Sequence, residues 1–281
     1  MDIEKGKLYI CATPIGNLED MTVRVADTLK KVDLIAAEDT RNSMKLLNHF
    51  GIRTPLTSYH EFNKYDKADE LVRKLKDGAS VAVITDAGTP CISDPGEVLI
   101  GKCIEAGIPV TSLPGPSAVI TALTLSGLPT DHFYFHGFLP PAKQKKERRQ
   151  ALEQMKEETA TMVLYEAPHH LKETLRELAE VLGEKRRVVL CRELTKVHEE
   201  IIRTTLREAA LTEPRGEYVL VIEGRSYAEK KEEEQKAFDA MSLEEHLALY
   251  LQQGLDRKEA MKKVASDRGL SKRDVYNALL G

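Results

Sequence analysis

The sequence predicts an α/β protein with two α/β domains and a small all-helical C-terminal extension. Three observations carry this prediction. In residues 1–115 short apolar runs alternate with amphipathic stretches, a pattern typical of βαβ units and a largely parallel sheet. In residues 116–226 the apolar runs lie closer together and several alternate with polar residues, which indicates a mixed sheet. In residues 227–281 the chain becomes polar with a helical pattern.

The first domain is predicted to contain four strands, at Leu8–Ala12, Leu34–Ala37, Val81–Thr85 and Val110–Leu113. The stretches between them have helical periodicity, at Val23–Val32, Ser43–Phe50, Lys67–Lys76 and Glu97–Ala106. A glycine follows three of these helices as a stop signal. The domain is predicted to end in the segment Leu113-Pro-Gly-Pro-Ser117, because two prolines around a glycine continue neither a strand nor a helix.

The second domain is predicted to contain two helices, at Lys145–Lys156 and Leu171–Leu182. Its predicted strands are Phe133–Phe138, Ala160–Tyr165, Arg187–Cys191, Glu199–Thr205 and Glu217–Glu223. Phe133, Tyr134 and Phe135 alternate as strand residues do, so we expect core residues there more than a stacking platform for RNA bases.

The extension is predicted to begin with a charged linker from Tyr227 to Asp239. Three short helices follow, each introduced by a capping box, at Ser242…Glu245, Asp256…Glu259 and Ser271…Asp274. Gly269 lies in a short turn between the last two helices, as in a helix-turn-helix. Residues 256–274 hold three more basic than acidic residues. Two interpretations stay open, a nucleic-acid-binding unit and a helical cap on the sheets.

Composition and missing motifs exclude several classes of protein. With 42% hydrophobic residues and a net charge of -4, the chain has a soluble globular composition and no overall positive charge to attract nucleic acid. It has no apolar run long enough to cross a membrane and no signal peptide, so we expect a cytoplasmic protein. The four cysteines are far apart and His169-His170 lack ligand spacing, so no metal is expected. The dinucleotide fingerprint, the Walker A loop and the Gly-x-Ser-x-Gly elbow are all absent.

Polar loops follow all four predicted strands of the first domain. Because the carboxyl ends of parallel strands lie at one edge of a sheet, these loops are expected to share a ligand pocket. Their glycines and prolines favour open turns that let the backbone approach a ligand. The loops are Ala12-Thr-Pro-Ile-Gly-Asn17, Ala37-Glu-Asp-Thr-Arg41, Thr85-Asp-Ala-Gly-Thr-Pro-Cys-Ile-Ser-Asp-Pro-Gly96 and Pro114-Gly-Pro-Ser-Ala118.

These four loops, together with Tyr165-Glu-Ala-Pro-His169, resemble the tetrapyrrole methylase superfamily, and most closely its branch of small-subunit ribosomal RNA (cytidine-2′-O)-methyltransferases. The resemblance covers roughly residues 8–224 and anticipates a helical extension. It implies two α/β domains of the tetrapyrrole-methylase type with S-adenosylmethionine in the cleft between them. It also implies methylation of a cytidine ribose in small-subunit (16S) ribosomal RNA, with the assembled 30S subunit as substrate, and a homodimer.

The resemblance implies that the cofactor is bound mainly by the loops of the first domain, with a few residues of the second. The residues carried over are Pro14, Gly16, Asp86, Gly88, Thr89, Pro90, Ile92, Ser93, Ser117, Ala118, Tyr165, Gly216 and Glu217.

Methyl transfer to a ribose hydroxyl needs a base that removes the hydroxyl proton. Asp39 or Glu38 is a candidate from the second loop, where Arg41 would orient a carboxylate or hold a substrate phosphate. Glu166, from the second domain, is a further candidate for the base. The order among these candidates stays open.

RNA binding requires phosphate neutralisation, for which the sequence offers one basic segment. We expect its cations to bind the RNA backbone, at Lys143, Lys145, Lys146, Arg148 and Arg149. The alternative is a solvated helix face. Two other functions remain open for the whole chain: a methylase of a tetrapyrrole-like small molecule, and a non-catalytic ribosome-binding protein with the same fold.

Overall fold

The computed structural model describes residues 2–226, 235–236 and 238–280. Its first sheet has five strands that are all parallel, in the order β3-β2-β4-β1-β5. The strands are β1 (Leu8–Cys11), β2 (Leu34–Ala37), β3 (Leu56–Ser58), β4 (Val81–Ile84) and β5 (Val110–Leu113). The helices between them are α1 (Val23–Lys31), α2 (Thr40–His49), α3 (Lys64–Lys76) and α4 (Gly96–Glu105).

Both faces of this sheet are buried, which explains why its central strands are apolar throughout. Tyr9 and Cys11 of β1 pack on one face with Val25 and Leu29 of α1. On the other face, the core contains side chains of β1, β4, α3 and α4. A parallel sheet covered by helices on two sides needs apolar residues at consecutive positions, not at alternate ones.

The second sheet is mixed, with the order β6-β7-β10-β8-β9. Its elements are α5 (Ala118–Ser126), β6 (Phe133–Phe138), α6 (Lys145–Lys156), β7 (Thr161–Glu166), α7 (Pro168–Leu182), β8 (Arg187–Arg192), β9 (Glu200–Thr205), α8 (Leu206–Ala209) and β10 (Tyr218–Ile222). β6 is parallel to β7, whereas β10 is antiparallel to both β7 and β8. Helices α6 and α7 cover one face of this sheet and α5 contributes to the core on the other.

The predicted fold class is confirmed, including the parallel first sheet and the mixed second one. Among the described residues, one strand and two α-helices were missed, as was the 3₁₀ helix Leu18–Asp20. β3 is a three-residue, half-buried strand without an apolar run, and α8 has only four residues. α5 is apolar almost all round, so it lacks the periodicity that reveals a surface helix.

The C-terminal helices belong to a separate compact unit, whereas both sheets belong to one. The helices are α9 (Leu243–Gln252), α10 (Arg257–Asp267) and α11 (Lys272–Leu280). They bury a small core that includes Leu247, Tyr250, Val264 and Val275. The predicted capping boxes are present at Ser242 and Ser271, whereas Asp256 accepts the hydrogen bond of the Glu259 N–H without a reciprocal bond to the Glu259 side chain. The predicted linker from Tyr227 to Asp239 lies largely outside the described residues, and the predicted domain boundaries remain predictions.

Candidate active site

A cavity of about 380 Å³ lies between the two sheets, at the carboxyl ends of the first sheet's strands. This volume is within the range of roughly 300–1,000 Å³ that small-molecule sites occupy. The first sheet contributes side chains from the ends of β1, β2 and β4 and from the start of α5. The cavity therefore lies at the edge of the sheet where open α/β sheets bind ligands.

Gly88 closes the floor of the cavity beside the end of β1. Its backbone pairs with Thr13 through two hydrogen bonds of 2.9 and 3.1 Å. Its φ of +81° is a conformation that glycine adopts at no steric cost, and a Cβ there would lie 3.1 Å from Ile15. The glycine therefore keeps both the backbone conformation and the space that the loop needs.

The backbone turn that follows Gly88 is held by the partly buried carboxylate of Asp94. Asp94 accepts hydrogen bonds from the backbone N–H groups of Cys91 (2.7 Å) and Gly96 (2.8 Å). Burial raises the pKa of Asp94. Cys91 and Ser93 have φ values of +70° and +60°, which are uncommon for residues other than glycine. Strained backbone of this kind is frequent where a loop is shaped around a ligand.

The second sheet closes the cavity with three neighbouring strands. Tyr218 at the start of β10 pairs with Glu166 at the end of β7 and with Arg192 at the end of β8. The segments after β7 and β8 and before β10 therefore meet at one edge. Ala167, Glu193 and Glu217 extend from that edge into the cavity wall.

The turn after β8 lies against the first loop of the chain. Glu193 and Thr195 have φ values of +50° and +65°. The Thr195 hydroxyl accepts a hydrogen bond of 3.0 Å from the Asn17 backbone N–H. A Cβ on Gly16 would lie 2.5 Å from the Lys196 side chain. Gly16 is thus required where the two sheets' loops pack together.

The cavity wall is strongly acidic. Lys196 is the one basic side chain among its lining residues, and it donates to Glu193 at 3.1 Å and to Glu217 at 2.8 Å. The other carboxylates of the cavity wall belong to Glu38, Asp86, Asp94 and Glu166. Such a wall favours a ligand that carries positive charge.

The three carboxylates predicted as candidate bases differ in their hydrogen bonds. Asp39 caps α2 and hydrogen-bonds to the Arg41 side chain, which lowers the pKa of Asp39. Buried Glu166 accepts hydrogen bonds on both oxygens, from the Thr174 hydroxyl and the Ala167 N–H. Glu38 accepts one from the Thr85 hydroxyl, at 2.7 Å.

Asp86, predicted as a cofactor-binding residue, has a raised carboxyl pKa. The cause is partial burial, followed by repulsion from the nearby Glu38 carboxylate. The side chain lies at the cavity wall beside Glu38. Like Asp94, it therefore has surroundings that favour taking up a proton.

The structure brings together most of the residues that the sequence placed in the site. Those at the cavity wall are Glu38, Asp86, Gly88, Thr89, Ile92, Ser93, Ser117, Ala118, Tyr165, Glu166 and Glu217. Pro14, Gly16, Pro90 and Gly216 do not line the cavity but lie in the loops that form it. Asp39 and Arg41 also lie outside the lining, and the Arg41 side chain is 89% exposed.

The basic segment divides into exposed and buried cations. Lys143, Lys145, Lys146 and Arg149 are exposed. Arg148 is 6% exposed and donates to Glu177, to the Thr174 hydroxyl and to the Pro140 carbonyl. Its guanidinium is therefore committed to internal acceptors, so we assign it a structural role instead of contact with RNA.

Several lining residues were not predicted. Glu193, Leu194 and Lys196 follow β8 as Ala167 follows β7, so the strand-end rule would have found them had the direction of β8 been known. Phe138 was predicted only as a strand residue. The prediction that Phe133 and Tyr134 are core residues is wrong, because both side chains are exposed, whereas Phe135 packs against the core. Cys191 also lines the cavity, where burial raises the pKa of its thiol to about 12 and keeps it neutral.

Residues 7–210 match the tetrapyrrole (corrin/porphyrin) methylases. The chain is 50% identical over 278 residues to the ribosomal RNA small subunit methyltransferase I of Halalkalibacterium halodurans, covering 98% of this chain and 94% of that protein. It belongs to the tetrapyrrole methylase family. The protein of the same name from Bacillus subtilis is 47% identical over 279 residues, with the same coverage. This tetrapyrrole methylase is thus a methyltransferase, and the resemblance of its loops is confirmed.

Solved structures of the family share the fold at low sequence identity. The uroporphyrin-III C-methyltransferase from Thermus thermophilus complexed with S-adenyl homocysteine is 17% identical, with a TM-score of 0.55. The match covers 77% of this chain and 97% of that one. Within the described part of this tetrapyrrole methylase, no helix is long and apolar enough to cross a membrane. The same residues hold no cluster of three His, Cys, Asp or Glu side chains suited to a metal ion.

Proposed function

We propose that this protein transfers a methyl group from S-adenosylmethionine to the ribose 2′-oxygen of a cytidine in small-subunit (16S) ribosomal RNA. The observation that carries the proposal is the near full-length identity, 50% and 47%, to two proteins named ribosomal RNA small subunit methyltransferase I. The acidic cavity at the strand ends supports it. Substrate, target atom and cofactor are each part of the proposal.

The residues at the cavity fit S-adenosylmethionine in size and in charge. The cofactor carries a sulfonium and an ammonium group, and carboxylates outnumber basic side chains at the wall. Gly88 leaves its backbone open to a ligand, because a Cβ would fill the space beside Ile15. We expect Gly88, Thr89, Ile92, Ser117 and Ala118 to hold the cofactor. When bound, S-adenosylmethionine supplies a methyl group on a positively charged sulfur.

The remaining task of the chain is to prepare the ribose hydroxyl. We assign the base to Asp86, with Glu38 beside it, because the raised pKa of Asp86 favours accepting a proton, whereas both oxygens of Asp94 already accept backbone hydrogen bonds within the turn. Asp86 would accept the hydroxyl proton while the bond from the ribose oxygen to the methyl carbon forms and the bond from that carbon to sulfur breaks, with S-adenosylhomocysteine as the leaving group. The two sheets exclude water and hold the ribose in line with the methyl group.

The RNA is held outside the acidic cavity, by exposed cations. Lys143, Lys145, Lys146 and Arg149 lie on the second domain and Arg41 lies at the start of α2. Six further cations are exposed on the C-terminal helices, at Arg257, Lys258, Lys262, Lys263, Lys272 and Arg273. The acidic wall would repel a phosphate, so we expect the nucleoside of the target nucleotide to enter and its phosphates to stay outside.

The proposal is tested by transfer of labelled methyl groups from S-adenosylmethionine to small ribosomal subunits and to naked ribosomal RNA. Nuclease digestion then locates the label. We expect label on a cytidine ribose, with assembled subunits as the better substrate. Label on a base, or label in a tetrapyrrole precursor and none in RNA, would contradict the proposal. RNA binding without any transfer would favour a non-catalytic ribosome-binding protein.

We further propose that the protein is a cytoplasmic homodimer. Light scattering is expected to give about 63 kDa, twice the 31.5 kDa of one chain. A mass of one chain at micromolar concentration would contradict this part of the proposal and leave the methyltransferase assignment unaffected.

A further inference from the structure

An irregularity in β6 changes which face of the second sheet Phe138 lies on. β6 pairs with β7 in regular register as far as Phe135, which lies opposite Val163. The register then shifts by one residue, so that Gly137 lies opposite Leu164 and Phe138 opposite Tyr165. His136 is the extra residue of this β-bulge. Phe135 and Phe138 are three apart and would lie on opposite faces of a regular strand, but here they share one.

Two contacts confirm that both phenylalanines lie on the same face. The ring of Tyr165 is 5.1 Å from that of Phe135 and 5.4 Å from that of Phe138, measured between centroids. Gly137 makes the bulge possible, because its φ is +66° and a Cβ there would lie 2.7 Å from the Ser93 hydroxyl. Bulges of this kind often redirect a side chain beside an active site.

The redirected ring lines the cavity and yet remains open to solvent. Phe138 is 61% exposed, whereas Phe135 is partly buried in the core beneath it. A large apolar ring kept at the mouth of an otherwise acidic cavity does little for the stability of the core. It offers a flat surface to a planar ligand.

We propose that Phe138 stacks on the base of the target nucleotide and thereby holds its ribose at Asp86. This inference rests on the proposed function. Phe138 and Asp86 both line the cavity, one from each sheet. The exposed cations of the basic segment begin five residues later, at Lys143, where they can bind the adjoining RNA backbone. Proteins that bind unpaired RNA combine these two features, an aromatic surface for a base and cations for phosphates.

The test compares variants at Phe138 in methyl transfer to small ribosomal subunits, with cofactor affinity measured by calorimetry. Phe138→Ala is expected to lower kcat/KM for the subunit about 10- to 100-fold, the range for loss of one stacked base. Phe138→Leu is expected to lower it similarly, because leucine is apolar but offers no flat ring. Phe138→Tyr is expected to retain most of the activity. Cofactor affinity is expected to change less than twofold in all three.

Phe133→Ala is the matched control, since Phe133 lies on the same strand, is 42% exposed and does not line the cavity. Wild-type kcat/KM in Phe138→Ala or in Phe138→Leu would overturn the proposal. A tenfold loss of cofactor affinity in Phe138→Ala would also overturn it, because the ring would then serve the cofactor. If the wild-type protein labels no RNA, the proposed function itself fails, whatever the variants do.

Discussion

Two neighbouring arginines of α6 have opposite surroundings and predict opposite effects of substitution. Arg148 is buried among Glu177, Thr174 and a backbone carbonyl, whereas Arg149 is exposed. Removing one partner of a buried ion pair leaves the other without its charge partner. We expect Arg148→Met to lower the free energy of unfolding by about 3 kcal/mol, measured by urea denaturation.

Arg149→Met is the control for this prediction. Exposed substitutions of this kind usually change stability by less than about 0.5 kcal/mol, and we expect this one to weaken RNA binding instead. Equal urea midpoints for the two variants would show that Arg148 has no special structural role.

The raised pKa of Asp86 predicts how the methyl-transfer rate depends on pH. A carboxylate base is active only when deprotonated, so the rate is expected to rise with pH over a range above the ordinary Asp pKa of about 3.9. Asp86→Asn is expected to lower kcat about 10²- to 10⁴-fold and to remove this rise. Asp27→Asn, at an exposed position of α1, is the control. An unchanged pH profile in Asp86→Asn would transfer the role of base to Glu38.

The raised pKa of Asp86 also predicts the direction in which the stability of the fold changes with pH. A carboxyl group whose pKa is higher in the folded than in the unfolded state binds its proton more tightly when folded. The carboxyl group of Asp86 therefore stabilises the folded state at low pH, and this stabilisation is lost as the pH rises through the folded-state pKa. We expect Asp86→Asn to have a higher Tm than the wild type at pH 7, with the difference vanishing towards pH 3. A lower Tm at pH 7 would contradict the direction of the shift.

At the scale of elements, the C-terminal helices offer the sharpest prediction. Helices α9, α10 and α11 have a core of their own and belong to a separate compact unit. We expect a chain ending at Ser226 to fold and to keep its affinity for S-adenosylmethionine. RNA binding is expected to weaken and to depend less on salt, by about 0.7–0.9 in the logarithmic slope for each phosphate that the shortened chain no longer neutralises.

A full-length control separates the effect of charge from the effect of structure. Lys258→Gln, Lys262→Gln and Lys272→Gln together remove three exposed cations that lie outside the helical core. This variant should reproduce part of the decrease in salt dependence. If the shortened chain unfolds instead, the helices act as a cap on the sheets.

The elements also show what the sequence predicts well and what it does not. Apolar runs located β1, β2, β4 and β5 within one residue, and β6 and α6 at their observed ends. The position of Phe138 was not predictable, because a bulge depends on the register between two strands, and register is a property of the pair. Glu193–Lys196 was missed for a related reason. The position of this segment at the cavity depends on the direction of β8 relative to β7, which no local sequence pattern determines.

At the scale of the whole molecule, the site was more predictable on the first sheet than on the second. A parallel sheet brings every carboxyl end to one edge, so loops such as Thr85–Gly96 could be placed before the structure was known. In the mixed sheet, Glu217 precedes its strand whereas Ala167 follows its own, and only the topology shows that they meet. The buried contacts of Arg148 were equally hidden, since its neighbours in sequence are all exposed.

The pairing of strands that are distant in sequence also affects how the first sheet forms while the chain is being synthesised. Leu8 of β1 pairs with Val81 and with Val110, which lie 73 and 102 residues further along the chain. At ribosomal rates of about 5–20 residues per second, β1 emerges roughly 4–15 s before its first partner. During that interval an apolar strand has no sheet to join, and contacts so distant in sequence form slowly. We therefore expect this protein to be prone to aggregation while only its N-terminal part has been synthesised.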